Sequence, residues 1–277
     1  MYKDIVGYID AYKAVKLFYK AYLSDNSFAR IIFLHGAGEY SEKYTRFFEW
    51  LAARNIDVFA IDMRGHGRSS GAVCHVDDFN EYALDLEIFA KFIDKAWSHK
   101  KTFIVSHSLG GLVSIFYTMN FFYKFDGVIA CSPCLKLKLK IEPIKAWLAN
   151  VFYKVLKDKT FSSHVRPRLA THDKATIEKF VNDPLIHHLV TASFYVQLTW
   201  AMRYVKLHPE RMKSPLLILQ AGDDKICDAK AAEHFFEKAG SHDKNFKLYR
   251  GFFHELLNET DREMVFFDIY DWIKARG

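Results

Sequence analysis

The stretch TFIVSHSLGGLVSIFYTM, residues 102–119, places a short apolar run directly before a serine and a longer apolar run directly after it. TFIVS has the length and the β-branched content of a buried strand, and LGGLVSIFYTM has the length of a helix. The same alternation of short apolar runs and amphipathic helices continues in both directions along the chain. Such alternation is typical of right-handed β-α-β crossovers, which build a parallel sheet with helices on both faces. We therefore predict an α/β fold.

The predicted core has two parts in the sequence. Residues 4–23 alternate β-branched or aromatic residues with polar ones, which predicts two antiparallel strands at one edge of the sheet. The α/β alternation runs on to Pro133, stops, and returns near residue 214 with the buried strand LLILQAG. We therefore assign residues 1–133 and 214–277 to one core.

Residues 134–213 interrupt the alternation and form a predicted cap inserted into the core. Within this segment, IKAWLANVFYKVL at 144–156 has its apolar residues on one helical face, which predicts an amphipathic helix. The helical stretches of the segment are broken near four prolines: Pro143, Pro167, Pro184 and Pro209. The expected cap is therefore helical.

Positive charge is concentrated in this inserted segment. Residues 135–213 contain 15 Lys and Arg against 6 Asp and Glu, whereas the rest of the chain contains 24 against 27. Two interpretations stay open: a solvated surface that keeps the protein soluble, or a surface that makes peripheral contact with anionic membrane lipids. No nucleic-acid-binding motif and no single basic block occurs in the sequence, so nucleic acid is not an expected partner.

The composition is that of a folded, cytoplasmic protein. Half of the 277 residues are apolar and 16% are aromatic, which excludes disorder. The opening MYKDIVGYID lacks the apolar stretch of a signal peptide, and no run approaches the roughly 18 apolar residues of a membrane span. Four cysteines are too few for a disulfide scaffold at this length, and their spacing does not suggest zinc. We expect no metal and no cofactor.

Ser108 lies between the predicted strand and the predicted helix of the opening stretch. This context is that of the nucleophile elbow, G-x-S-x-G, in which the residues two before and two after the serine must be small. Gly110 meets this requirement, and Ser106 stands where the first glycine is expected. An ordinary strand-to-helix connection is the alternative, because so short a pattern also arises by chance.

A serine nucleophile needs a base and a carboxylate that orients the base. The strand LLILQAG is followed by Asp223 and Asp224, and the strand NFKLYRG by Phe252, Phe253 and His254. Because the carboxyl ends of parallel strands meet at one edge of a sheet, these side chains are expected near Ser108. His254 is the predicted base, since it alone closes a strand after the acid. The alternatives for the base are His66, His107, His187 and His188.

The stretch HGAG at 35–38 directly follows the predicted strand IIFL. Acyl transfer needs two backbone N–H donors for the developing oxyanion, one after the nucleophile and one in the loop after the third strand. We therefore expect Leu109 and Ala37 to form the oxyanion hole.

Five sequence blocks together resemble the α/β-hydrolase group of monoacylglycerol lipases and lysophospholipases. These blocks are HGAGEYSEKY (35–44), DMRGHGRSSG (62–71), SHSLGG (106–111), LQAGDDKICD (219–228) and YRGFFHE (249–255). They occur in the family's order and spacing across the whole core. The resemblance implies an α/β-hydrolase fold with a mostly parallel eight-stranded sheet, and a mobile cap over an acyl pocket. It also selects Asp224 as the acid of a catalytic triad, since the family acid lies four residues before the aspartate of the KICD block.

The resemblance implies a serine hydrolase that cleaves esters of single-chain lipids through an acyl-enzyme. Short-chain carboxylesterase, thioesterase or aminopeptidase activity, or a non-catalytic binding module, are the alternatives on the same fold. Glu39, Lys43 and His107 are the candidate substrate-binding residues. The chain departs from glycerol-specific members at two positions, with Lys43 in place of an arginine and Leu257 in place of a second histidine.

Aromatic residues are frequent in and near the predicted cap. They predict an apolar pocket for one acyl chain, and packing within the cap is the equal alternative. These residues are Phe152, Tyr153, Phe161, Phe194, Tyr195, Trp200 and Tyr204.

Overall fold

Strands alternate with helices along the core, as the spacing of the apolar runs predicts. The computed structural model describes residues 2–138, 157–163 and 165–277. The elements before the inserted segment are β1 (Tyr2–Asp10), β2 (Lys16–Ser24), β3 (Ala29–Leu34), α1 (Thr45–Ala52), β4 (Ile56–Ile61), α2 (Asn80–Ala96), β5 (Lys101–His107), α3 (Leu109–Asn120) and β6 (Gly127–Cys131). The elements that follow are β7 (Thr160–Ser162), α4 (Pro167–Ala170), α5 (Lys174–Val181), β8 (Leu189–Thr191), α6 (Ala192–Leu207), β9 (Leu216–Ala221), α7 (Ala229–Lys238), β10 (Lys244–Tyr249) and α8 (Glu263–Lys274).

Eight of the described strands form one sheet in the order β1-β2-β4-β3-β5-β6-β9-β10. β2 is antiparallel to both β1 and β4, and all other neighbouring pairs are parallel. The predicted α/β-hydrolase fold is therefore confirmed, including the antiparallel pair at one edge of the sheet.

The central strands are buried at every position, since helices cover both faces of the sheet. This holds for β3, β4 and β9. On one face, α1 and α8 contribute Phe47, Phe48 and Phe266 to the core, while α2, α3 and α7 pack on the other face. Burying each such aromatic side chain contributes on the order of 2 kcal/mol, so both layers hold the sheet in place.

The inserted segment contains a strand pair in addition to its helices. β7 and β8 pair antiparallel as a separate two-stranded sheet, between which the chain forms the short α4 and the longer α5. Strands of three residues are too short to show a periodic apolar pattern, so the helical prediction did not include them. The helix predicted at 144–156 lies outside the described residues.

Side-chain and backbone hydrogen bonds join the second half of the inserted segment to core loops. The N–H and Oγ1 of Thr191 both donate to the carbonyl oxygen of Cys74, and Ser193 Oγ donates to Val76 O at 2.6 Å. His187 N donates to Gly38 O at 2.7 Å. Because Thr191 and Ser193 are buried, these contacts are shielded from water and fix the start of α6 on the core.

The described helices have at most 17 residues, which is the length of α2. None of them combines the length and the apolar content needed to cross a membrane.

Gly110 lies where α3 passes close to the end of β3, so a larger residue at this position should lower the stability of the fold. A Cβ atom there would lie 2.3 Å from Leu34 O and 2.7 Å from His35 O, so Gly110→Ala forces the backbone to shift. We expect a loss of about 3 kcal/mol in the free energy of unfolding, measured by urea denaturation.

The matched control is Ser106→Ala in β5. This change removes hydrogen bonds to Ser114 Oγ and Ile129 O without adding atoms, and should cost about 1 kcal/mol. Equal stability of the Gly110→Ala variant and the wild-type protein would contradict the close approach of α3 to β3.

Candidate active site

Ser108 occupies a sharp turn between β5 and α3, with a φ of 51° and a ψ of −111°. Non-glycine residues rarely adopt a positive φ, and such a conformation costs on the order of 1–3 kcal/mol. The turn is held by hydrogen bonds from Ser108 N to Cys131 O, and to Ser108 O from the amides of Leu112 and Cys134. The backbone conformation is that of a nucleophile elbow.

Ser106, which stands in place of the first glycine of the elbow pattern, fits without displacing its neighbours. Its Oγ lies 2.9 Å from Ser114 Oγ and donates to Ile129 O at 3.1 Å. The side chain is fully buried, so these partners satisfy a hydroxyl that water cannot reach. A small polar residue is therefore compatible with the turn.

His254 lies between Ser108 and Asp224. Its Nε2 is 2.9 Å from Ser108 Oγ, and its Nδ1 is 2.7 Å from Asp224 Oδ2. Asp224 follows β9 and His254 follows β10, so the carboxyl ends of two neighbouring strands bring the acid and the base together. Asp223 is exposed, whereas Asp224 is buried. The structure thus places the three residues predicted from the sequence within hydrogen-bond distance.

Asp224 is ionised in this arrangement. Burial raises the pKa of its carboxyl, but His254 and hydrogen bonds from the backbone outweigh burial and hold the pKa below the ordinary value of 3.8. Those backbone bonds come from the N–H groups of Ile226 and Cys227, both at 2.8 Å from Oδ1. A carboxylate anchored in this way keeps Nδ1 of His254 protonated and Nε2 free to accept a proton.

The other histidines considered as the base do not bond to Ser108 in the described part of the chain. They are His66, His107, His187 and His188. His107 is buried beside His254, with ring centroids 4.7 Å apart, and burial followed by the charge of His254 lowers the pKa of His107 to about 3. Burial lowers the pKa of His66 to about 3 as well, and its Nε2 lies 3.4 Å from Cys74 Sγ. Both rings are therefore neutral at physiological pH.

The loop after β3 carries the predicted oxyanion donor Ala37. Gly38 has a φ of 73°, and Gly36 N donates to Glu39 Oε1 at 2.5 Å, which shapes the loop beside Ser108. Ala37 and Leu109 both line the cavity at Ser108. Among the described residues, neither of these two amides donates to a protein acceptor. Both N–H groups are therefore available to a ligand.

Three charged side chains meet at the polar end of this cavity. The ammonium group of Lys43 is held between the carboxylates of Glu39 and Glu255, and it lies 4.6 Å from the centroid of the Phe180 ring. Burial lowers the pKa of Lys43, but the two carboxylates outweigh burial and raise it above its ordinary value. Burial raises the pKa of Glu39, but the charge of Lys43, the neighbouring histidines and the hydrogen bond from Lys43 together outweigh burial and lower the pKa.

These residues differ in their access to the cavity. Glu39, Glu255 and His107 line it, whereas Lys43 is buried behind the carboxylates and does not. Glu255 was not among the residues selected from the sequence. It directly follows His254 in the YRGFFHE block, and that adjacency to the predicted base was the available clue.

The cavity beside Ser108 has a volume of about 260 Å³ and mostly apolar walls. Its apolar lining includes Leu137, Phe161, Val165, Phe194, Tyr195 and Leu198. Three of the aromatic residues predicted for an acyl pocket thus line it. Trp200 and Tyr204 instead pack on Phe116, and Phe152 and Tyr153 lie outside the described residues.

One group of potential metal ligands occurs among the described residues. The ligand atoms of Asp224, Cys227 and His254 all lie within 4.8 Å of one another. Asp224 and His254 use these atoms in the hydrogen bond that joins them. The donor set therefore matches proton transfer through His254 better than coordination of an ion.

The strained serine turn at the carboxyl edge of a mostly parallel sheet defines the chain as an α/β hydrolase. The sequence profile described as "Serine aminopeptidase, S33" matches residues 25–261. The chain belongs to this family.

Similar proteins include lipases and phospholipases. Phospholipase YtpA of Bacillus subtilis is 30% identical over 88% of this chain and 94% of its own length. The monoglyceride lipase of Rattus norvegicus is 30% identical over 90% of this chain and 83% of its own length. The crystal structure of a monoacylglycerol lipase of Paleococcus ferrophilus superposes with a TM-score of 0.85 at 26% identity, covering 94% of this chain and 99% of that one. An uncharacterized abhydrolase domain-containing protein of Dictyostelium discoideum is 31% identical over 90% of this chain, which spans 26% of that relative's length.

These relatives confirm the resemblance to monoacylglycerol lipases and lysophospholipases predicted from the five sequence blocks. They also confirm the prediction of an ester-hydrolysing enzyme of the serine hydrolase class.

The lowered pKa of Asp224 predicts how stability depends on pH. An ionised carboxylate with a depressed folded-state pKa contributes stability above pH about 4, and this stability is lost as the pH falls through the folded-state value. We expect Asp224→Asn to be about 2 kcal/mol less stable than the wild-type protein at pH 7. The difference should shrink below pH about 4, as measured by urea unfolding across this range.

Asp223→Asn is the matched control, because the neighbouring carboxyl is exposed. It should leave stability almost unchanged at each pH. A stability difference for Asp224→Asn that stays constant or grows towards acid would contradict the assignment of an ionised, hydrogen-bonded Asp224.

Proposed function

We propose that this chain hydrolyses carboxylic esters of single-chain lipids through an acyl-enzyme, with Ser108, His254 and Asp224 as its catalytic triad. The observation that carries the proposal is the position of His254, bonded to Ser108 Oγ and to Asp224 Oδ2 at one end of an apolar cavity. This arrangement matches the requirements of a serine nucleophile, its base and an orienting acid.

In the first half of the reaction, His254 Nε2 accepts the proton of Ser108 as Oγ attacks the ester carbonyl carbon. The carbonyl oxygen becomes negatively charged, and the N–H groups of Ala37 and Leu109 donate to it. Donors of this kind each lower the barrier by about 3 kcal/mol. The tetrahedral intermediate then collapses, and His254 gives its proton to the leaving alcohol oxygen.

In the second half, water attacks the acyl-enzyme while His254 Nε2 accepts one of its protons. Collapse of the second intermediate returns that proton to Ser108 Oγ and releases the fatty acid. Asp224 stays ionised throughout, because its pKa lies below the ordinary value. Its part is to hold the ring and to stabilise the imidazolium that forms in each half.

The shape and chemistry of the cavity support a lipid substrate. Its walls are mostly apolar, and aromatic side chains contribute to them, as expected for a site that binds one acyl chain. The names of the relatives, monoglyceride lipase and phospholipase, support the same class. Monoacylglycerols and lysophospholipids are accordingly the leading substrates.

Covalent labelling tests the nucleophile directly. A fluorophosphonate should form an adduct on Ser108 of the wild-type protein, detected by peptide mass spectrometry. Ser108→Ala should abolish the adduct and reduce ester hydrolysis by at least about 10⁴-fold, since the nucleophile acts with its base as a unit. Ser106→Ala is the control and should keep both. A folded wild-type protein without an adduct would favour a binding module over a hydrolase.

Rates on a panel of substrates with matched chains test the leaving group. We expect turnover of monoacylglycerol or lysophosphatidylcholine well above that of an acyl thioester or an aminoacyl amide. Turnover of p-nitrophenyl acetate without turnover of either lipid would overturn the lipid assignment and favour a short-chain esterase. Faster cleavage of the aminoacyl amide would favour an aminopeptidase.

We also propose that the inserted segment makes peripheral contact with anionic membranes. Its net positive charge supports this, as does the outer face of α6, where Trp200, Arg203, Lys206 and Leu207 are exposed. Aromatic and aliphatic residues beside basic ones are typical of helices that lie at a lipid interface.

Vesicle flotation measures this contact. Binding to vesicles with anionic lipid should weaken as salt rises from about 0.05 to 0.5 M, because the Debye length falls below the charge separation. Vesicles of neutral phosphatidylcholine are the control and should bind less at every salt concentration. Binding that is independent of both salt and lipid charge would contradict the electrostatic contact.

A further inference from the structure

The polar end of the cavity beside Ser108 carries a charge imbalance. From it we propose that the site selects leaving alcohols without net negative charge and excludes net-anionic ones such as phosphate monoesters, and that Glu255 sets this selectivity. The proposal rests on the ester hydrolysis proposed above.

The imbalance follows from the three charged side chains at this end. Glu39 and Glu255 share the ammonium group of Lys43, so two negative charges are balanced by one positive charge. The side chains of Glu39, Glu255 and Lys43 are 7%, 9% and 5% exposed, so solvent screens their charges little. Their remaining hydrogen-bond partners are neutral donors: the Gly36 N–H, Tyr44 OH and the side-chain amide of Asn258. One net negative charge therefore remains.

This charge faces the substrate. Glu39 and Glu255 line the cavity, while Lys43 lies behind them. Of the described residues that line the cavity, none is a lysine or an arginine. The buried ring of His107, whose pKa is about 3 mainly because of burial, adds no positive charge. An anionic headgroup would thus meet two carboxylates and, among the described residues that line the cavity, no cation, which is costly in a poorly screened site.

Glu255 also has unused capacity to accept hydrogen bonds. Its Oε1 accepts from Lys43 and its Oε2 accepts from Asn258 Nδ2 at 3.0 Å. An ionised carboxylate offers about four acceptor positions, so within the described structure roughly two remain. A hydroxyl or ammonium group on the leaving alcohol can donate to them.

The position of Glu255 next to His254 ties it to the leaving group. His254 must protonate the leaving oxygen, so that oxygen and the groups attached to it lie near the His254 ring. Glu255 is the adjacent residue and lines the same cavity. The apolar walls formed by Phe161, Phe194 and Leu198 can contact the acyl chain. Glu255 therefore contacts the alcohol part of the ester and not its acyl part.

The test compares kcat/KM for a monoacylglycerol and a lysophosphatidic acid with the same acyl chain, short enough for both to stay monomeric. We expect the wild-type protein to prefer the neutral ester by at least about tenfold, the effect of one unit charge at close range in a poorly screened site. Glu255→Gln keeps the shape of the side chain, removes its charge, and should reduce the preference about tenfold. Glu233→Gln, on the exposed face of α7, is the matched control and should keep the wild-type preference.

Equal wild-type rates on the two esters would overturn the selectivity while leaving ester hydrolysis in place. A Glu255→Gln variant that keeps the full wild-type preference would overturn the role of Glu255. If Glu255→Gln does not fold, Glu39→Gln tests the same charge balance, with the same loss of preference expected. Failure of the wild-type protein to cleave either ester, or any other ester in the substrate panel, would instead overturn the proposed function and the inference with it.

Discussion

The positive φ of Ser108 is the constraint on which the rest of the site depends. Three parts of the chain hold it: Cys131 at the end of β6 accepts from its amide, while Leu112 in α3 and Cys134 at the start of the inserted segment donate to its carbonyl oxygen. A conformation that costs 1–3 kcal/mol persists only where the surroundings determine it this strongly. The turn exposes Oγ to His254, and within the described part of the chain no acceptor binds the first amide of α3.

A second constraint joins two loops that are distant in sequence. Glu39 belongs to the loop after β3, and Glu255 to the loop after β10, yet both bind the same Lys43 ammonium group. Removing one partner from a buried ion pair costs about 3–5 kcal/mol, because the other charge is left uncompensated. The side chain of Lys43 therefore joins the loop that carries Ala37 to the loop that carries His254.

Much of the fold could be predicted because burial of its strands and helices produces a periodic pattern of apolar residues in the sequence. Strands buried on both faces appear as short apolar runs, and the helices between them show the wider spacing of an amphipathic surface. The acid and the base could be located because each directly follows such a run, at the edge where parallel strands end. Ser108, His254 and the pair Asp223 and Asp224 are therefore visible in the sequence, and the resemblance to the family selects Asp224 from that pair.

What could not be predicted depends on contacts between distant residues. The Lys43–Glu255 pair spans 212 positions and leaves no periodic pattern, so neither the burial of Lys43 nor the place of Glu255 in the cavity could be inferred. Ser106 is accepted in the turn because Ser114 on α3 faces it, which only the packed structure reveals. The strands β7 and β8 are shorter than any window in which alternation is detectable.

The hydrogen bond from His187 to Gly38 links the inserted segment to the loop that carries Ala37. A displacement of the segment that broke this bond would release the carbonyl group of Gly38, the residue that follows the proposed oxyanion donor Ala37. The position of the inserted segment and the conformation of the loop beside Ser108 are therefore coupled through this one backbone contact.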